Sequence, residues 1–251
     1  MRASARVMEG DTTIRSVDQL GTVLSIWAHP DDEAYLAAGI MSMAAANGQR
    51  VVCITATKGE AGSPDPDRWT PTQMAAVREQ ELYACLDVLG VEEHRWLGFV
   101  DGTCDRVPLD EAATDLAAII DEVVPDTIVT FGPDGFTGHP DHAAVSRWVT
   151  EAHRRSRQRG SRARLHQVVQ TPRWIDDCVG PWRRLGAFEP HLPPTVPPED
   201  LSIEIVLPTD VMDRKLRALD AQQSQTPEVR AALGDDLYRR SLDVERYRAP
   251  A

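Results

Sequence analysis

The chain has 251 residues, 42% of them hydrophobic, which is enough for one α/β domain with a substantial core. A formal net charge of −12 argues against a nucleic-acid partner, because neutralising phosphates takes clustered cations. No run of about 18 apolar residues marks a membrane span, and residues 1–21 lack the apolar stretch of a signal peptide, so a cytoplasmic protein is expected.

Residues 1–20 read as a polar N-terminal arm. Residues 22–27 (Thr-Val-Leu-Ser-Ile-Trp) have the β-rich composition of a buried parallel strand. A helix is expected over 33–46, ended by Asn47-Gly48, and a second strand over 50–56. The loop 57–71, with three Pro and two Gly, is long enough to suggest function. A helix over 72–89 places Met74, Val77, Leu82, Leu86 and Leu89 on its apolar face and closes at Gly90. A strand over 95–99, a helix over 109–124, a strand over 126–131, a Gly-rich loop over 132–138, a helix over 140–159 and a strand over 165–170 follow. The basic run His153–Arg159 reads as a solvated helix end. This alternation predicts an α/β, Rossmann-like, mostly parallel sheet with helices on both faces. Beyond it, 171–200 looks irregular, 201–207 a strand, 211–223 a helix and 228–246 one or two surface helices. Residues 1–251 are taken as one α/β domain, in which 171–251 form a variable substrate-binding or capping region.

Cys53, Cys85, Cys104 and Cys178 are widely spaced and include no Cys-x-x-Cys pair, so neither a disulfide framework nor a thiolate zinc site is expected. Two other clusters carry the chemistry: Ala28-His29-Pro30-Asp31-Asp32-Glu33 and His139-Pro140-Asp141-His142. Each stands after an expected strand and before an expected helix, where ligands of open α/β sheets bind. A catalytic zinc site typically has three N/O ligands and an open position. His29, Asp32 and one imidazole of the second cluster meet that count. Asp31 then remains as general base, and the other imidazole to stabilise an oxyanion or protonate a leaving amine. The set suits hydrolysis of an amide or ester. A carboxylate at a helix start is also a common cap, but two such clusters at equivalent positions favour a metal site. His94, His153, His166 and His191 lack such neighbours. No Gly-x-Gly-x-x-Gly follows the first strand, which argues against a nicotinamide dehydrogenase.

With these two motifs the chain resembles the PIG-L/LmbE deacetylases over residues 23–150. The resemblance implies a Rossmann-like, zinc-dependent hydrolase that removes the N-acetyl group from an N-acetylglucosamine-type sugar or its conjugate, releasing acetate and a free amine. It implies zinc ligation by His29, Asp32 and His142, with Asp31 as general base and His139 holding charge on the tetrahedral intermediate. Asp141 would orient an imidazole from behind. Arg78, in Arg-x-x-Glu-Leu, and Asp101 would contact the sugar, although an Arg78–Glu81 surface pair and a plain Asp101-Gly102 turn are the bland readings. The segment Thr57-Lys58-Gly59-Glu60-Ala61-Gly62 is similar to the family's loop after the second strand.

Two positions depart from the pattern. Thr137 stands where the mycothiol-pathway branch has a tyrosine, and Gln222 where many members have a histidine. Iron(II) is an alternative to zinc for a His/carboxylate set. The expected partner is a small-molecule N-acetylated sugar conjugate, and a homo-oligomer is compatible with the sequence. Competing readings are an amidase for a larger N-acyl or thiol conjugate and a non-catalytic sugar- or nucleotide-binding domain.

Overall fold

A computed structural model describes residues 13–63, 65, 67–188 and 191–250. Strands β1 (Val23–Trp27), β2 (Val51–Thr57), β3 (Glu93–Phe99), β4 (Thr127–Thr130), β5 (Arg164–Val168), β6 (Ile203–Val206) and β7 (Val244–Arg248) pair in the order β3-β2-β1-β4-β5-β7-β6. The first five are parallel, whereas β7 runs antiparallel to both β5 and β6. Every residue of β1, β2 and β4 is buried, as a parallel sheet covered on both faces requires.

The helices are α1 (Asp32–Leu36), α2 (Ala38–Ala46), α3 (Pro71–Leu89), α4 (Leu109–Val123) and α5 (Pro140–Gln158). Short α6 (Pro172–Trp174) and α7 (Gly180–Arg184) flank a π-helical turn at Ile175–Val179, and α8 (Thr209–Asp220), α9 (Pro227–Leu233) and α10 (Asp235–Leu242) follow. Right-handed crossovers from β1 to β2 and from β4 to β5 travel in opposite directions along the sheet and so cover opposite faces. Accordingly α4 packs on α5, while α2 and α3 pack on α8. The start of α3 is written locally: Thr70 and Gln73 form a capping box, Pro71 occupies the first turn, and Gly90 ends the helix at φ 74°.

The structure corrects four expectations. The helix expected over 33–46 breaks at Ala37 (φ −140°), because Glu245 of β7 caps a new N-terminus, accepting the N–H groups of Gly39 and Ile40 at 2.8 Å each. The surface helices expected through 246 stop at Leu242, and the last residues form β7, whose alternation buries Glu245 and Tyr247. The segment 171–200, expected to be irregular, holds the short helices α6 and α7. The expected polar arm lies outside the described residues up to residue 12. Beyond that, Ile14 bridges to Ile203, and Ile14, Val17 and Leu20 are buried, so the arm's end is part of the core. Among the described residues no helix is long and apolar enough to cross a membrane.

The strand order reverses between β1 and β4, the place where open α/β sheets bind ligands. Both His clusters follow those two strands.

Candidate metal and active site

Leaving β1, the chain turns at Asp31 with φ 106°, a conformation that costs a non-glycine residue of the order of 1–3 kcal/mol. Neighbours on both sides hold it there. The buried Arg78 guanidinium donates to the Pro30 carbonyl, to Asp31 Oδ2 at 3.2 Å and to the Gly59 carbonyl at 2.9 Å. Glu33 Oε2 accepts the Asp31 N–H at 3.1 Å. Gly59 is required here: at φ 65° a Cβ would fall 2.3 Å from Arg78 Nη1. Burial pushes the Asp31 carboxyl up to about 7, against the pull of Arg78.

The imidazole tautomers follow from their partners. His29 Nε2 lies 3.0 Å from Asp101 Oδ1 and 3.2 Å from Asp141 Oδ2; carboxylates accept, so Nε2 carries the proton. His142 Nδ1 lies 3.1 Å from the Gly135 carbonyl, which also only accepts, so Nδ1 carries the proton there. In the neutral rings the remaining lone pairs, on His29 Nδ1 and His142 Nε2, face each other at 3.1 Å. Asp32 closes the set, with Oδ1 3.3 Å from His142 Nε2 and Oδ2 3.7 Å from His29 Nδ1. Facing lone pairs beside a carboxylate need a cation between them or an added proton. Burial disfavours that proton on His29, yet the Asp101, Asp141 and Asp32 carboxylates outweigh it and raise the ring to about 10. Burial and the charge of His29 hold His142 well below its usual value. Two imidazoles and one carboxylate are a donor set that fits a divalent transition metal.

His139 caps α5, its Nδ1 accepting the Asp141 N–H at 3.1 Å, which leaves Nε2–H free to donate. A ring nitrogen of His139 lies within 4.8 Å of those of His29 and His142. Burial and the neighbouring His29 charge lower its pKa, and a ring whose Nδ1 accepts an N–H is a neutral donor at Nε2. Asp141 stands behind His29, its oxygens fixed by the N–H groups of Gly102 at 2.7 Å and Cys104 at 3.1 Å.

All eight residues singled out in the sequence therefore meet in one place, with two changes of partner. Asp101 contacts His29 as well as lining the cleft, and its Oδ2 accepts the Ala61 N–H at 2.9 Å. Arg78 pairs with Asp31, whereas Glu81 accepts the Ser224 N–H at 2.7 Å. Sequence reasoning missed the layer beneath Asp31. The fully buried Glu33 carboxylate accepts from Gln222 Nε2 at 2.6 Å and from Cys85 Sγ at 3.4 Å, and burial pushes it up to about 8. The departure at Gln222 from the family's histidine was the available signal. Thr137 likewise has a partner, His142 Nδ1, at 3.1 Å. The cluster opens into a cleft of about 440 Å³ whose other walls include Tyr35, Phe136, Trp174, Trp182 and Phe188.

Comparison with known proteins identifies relatives of this chain. The PIG-L family model, described as GlcNAc-PI de-N-acetylase, matches residues 24–153, which include both His clusters. The chain is 30% identical to a 1D-myo-inositol 2-acetamido-2-deoxy-alpha-D-glucopyranoside deacetylase of Kineococcus radiotolerans, over 85% of this chain and 71% of that protein. It is 32% identical to a probable N-acetyl-alpha-D-glucosaminyl L-malate deacetylase 2 of Bacillus cereus, over 81% and 83%. Its fold is similar to that of the N,N'-diacetylchitobiose deacetylase from Pyrococcus horikoshii, with a TM-score of 0.68 and 21% identity over 92% of this chain and 84% of that one. Matched over more than half its length, with both clusters inside the match, the chain belongs to the PIG-L family.

Proposed function

We propose that the protein is a zinc-dependent N-deacetylase that hydrolyses the acetamide of an N-acetylglucosamine-type conjugate, with iron(II) as the alternative metal. The observation that carries this reading is the approach of His29 Nδ1 and His142 Nε2 to 3.1 Å with the Asp32 carboxylate beside both. His29, Asp32 and His142 would hold the divalent metal, which would supply Lewis acidity and lower the pKa of a water toward neutrality.

The remaining steps belong to the chain. Asp31, held by Arg78 beside the ligand cluster, takes the proton of the attacking water as the carbonyl becomes tetrahedral. His139 donates Nε2–H to the oxygen on which charge develops, and needs no positive charge to do so. Asp31 then returns its proton to the departing nitrogen, so acetate and a free amine leave together. Asp101 and Asp141 keep His29 in the tautomer that presents Nδ1.

The test is acetate and amine release from N-acetylglucosaminides before and after chelation and zinc replenishment. Release that chelation abolishes and zinc restores supports the reading. Stoichiometric zinc with no release from any glycoside would identify a binding domain instead.

A further inference from the structure

The turn 221–226 joins α8 to α9 and is fixed within itself. The N–H groups of Gln225 and Thr226 donate to the Gln222 carbonyl at 3.1 Å each, and Thr226 Oγ1 donates to the Leu219 carbonyl at 2.6 Å. Three of its residues reach outward, each to a different element around Asp31. Gln222 Nε2 donates to Glu33 Oε1 at 2.6 Å, and Glu33 Oε2 accepts the Asp31 N–H at 3.1 Å. Ser224 donates its N–H and its hydroxyl to Glu81 at 2.7 and 2.6 Å. Glu81 stands about one turn of α3 beyond Arg78, whose guanidinium holds the Asp31 carboxylate. Gln225 Nε2 donates to the Gly62 carbonyl at 3.0 Å. That loop folds over Arg78 so closely that a Cβ on Gly62 would fall 2.6 Å from Nη1.

Gln222 is an unfavourable choice for a core position unless its N–H matters. It is fully buried, and its Oε1 has no hydrogen-bond partner among the described residues. A desolvated acceptor left unpaired costs about 1–3 kcal/mol, which an apolar side chain of similar size would not incur. Turned over, the amide would set its oxygen against the Glu33 carboxyl, so its neighbours select the orientation with Nε2 toward Glu33. What the residue gains there is one short contact, to the group that receives the Asp31 N–H. Asp31 sits at φ 106°, a conformation that persists only while its surroundings hold it. A general base must stand within hydrogen-bond reach of the water it deprotonates, and a misplacement of about 1 Å can cost about 10²-fold in rate.

We propose that the turn between α8 and α9 sets the general base. Gln222 is a positioning residue that fixes the Asp31 main chain through Glu33. Ser224 and Gln225 fix the helix and the loop that bring Arg78 to the Asp31 carboxylate. The proposal rests on the N-deacetylase reading for the role of Asp31.

The test compares zinc-loaded Gln222→Met, which removes the donor at similar volume, with Gln222→His, which restores an N–H donor at similar reach. On methyl N-acetylglucosaminide, Gln222→Met is expected to lose about tenfold or more in kcat per bound zinc, with KM within about threefold of the wild type. Gln222→His is expected to recover kcat to within about threefold. A role in stability alone would move the urea midpoint but not kcat per bound zinc. A kcat for Gln222→Met within about twofold of the wild type, or Gln222→His as impaired as Gln222→Met, would overturn the proposal. If the wild type releases no amine, the deacetylase reading fails separately, and amide hydrogen exchange followed by NMR decides the positioning. The Asp31 N–H is expected to exchange about tenfold or more faster in Gln222→Met while the amides of β1 keep their rates. An unchanged Asp31 rate, or equal acceleration throughout β1, overturns it.

Discussion

Lys215→Met is expected to be the most damaging single change outside the metal cluster. Lys215 is 1% exposed, and its Nζ sits 2.8 Å from Glu245 Oε1. The same carboxylate accepts the N–H groups of Gly39 and Ile40 at 2.8 Å each, so one buried charge ties α8, β7 and the start of α2 together. Removing the cation leaves that carboxylate desolvated, a loss of about 3–5 kcal/mol for a buried pair. The two remaining N–H donors and the helix N-terminus offset part of this, by up to about 2 kcal/mol, which places the expected loss near 3 kcal/mol. In a chain of this size that corresponds to a fall of about 6–12 °C in melting temperature. Urea unfolding with an unchanged m-value measures it. Glu245→Gln alone strands the lysine, whereas the double variant removes both charges, so the double loss is expected to fall short of the sum by about 2 kcal/mol or more. A cost below about 1 kcal/mol for Lys215→Met, or additive single losses, would refute the reasoning.

Other outcomes follow from the same geometry. Asp31→Asn is expected to lower kcat by about 10²- to 10⁴-fold while zinc stoichiometry, measured by atomic absorption, stays unchanged. Gly135→Ala places a Cβ 2.9 Å from the Ala143 nitrogen at φ 73°, so a loss of about 1–3 kcal/mol is expected by urea unfolding. Zinc affinity measured on the folded variant should weaken too, because the Gly135 carbonyl orients His142. Burial, with help from Arg164 and His153, lowers His166 to about 4, against an ordinary value of 6.5. The unfolded chain takes up that proton first, so the associated stability is full above pH 6.5 and is lost as pH falls toward 4. Between pH 7 and 4.5 the wild type should lose about 2 kcal/mol more than His166→Asn; equal slopes would contradict this.

The parallel half of the fold was legible because its signals are local. The strands around 22–27, 50–56 and 126–131 are short apolar runs, and α3 and α5 begin with caps and prolines that name their own ends. Both His clusters were legible for the same reason, as was their common place beyond β1 and β4. What stayed hidden depends on distant partners. Val244–Arg248 carries three charged residues, and only the pairing of Glu245 with Lys215 and with the α2 N-terminus makes its burial affordable in this sheet. Arg78 looked like half of a surface pair because Glu81 follows three residues later, yet it is buried under a loop that two glycines shape around it. The contact of Asp101 with His29 spans 72 positions and leaves no local pattern. Trp174 and Trp182 stand on short helices that Pro and scattered charges disguised as irregular chain.

His29, Asp32 and His142 are proposed to hold a metal together. Calorimetric titration of metal-free protein with zinc tests it most directly, with His142→Ala and His94→Ala as variants, since His94 pairs with Thr55 away from the cluster. One zinc bound tightly by the wild type and by His94→Ala, and lost in His142→Ala, is the expected result. Wild-type protein that takes up no zinc or iron(II), or His142→Ala that binds as tightly as the wild type, would contradict the account.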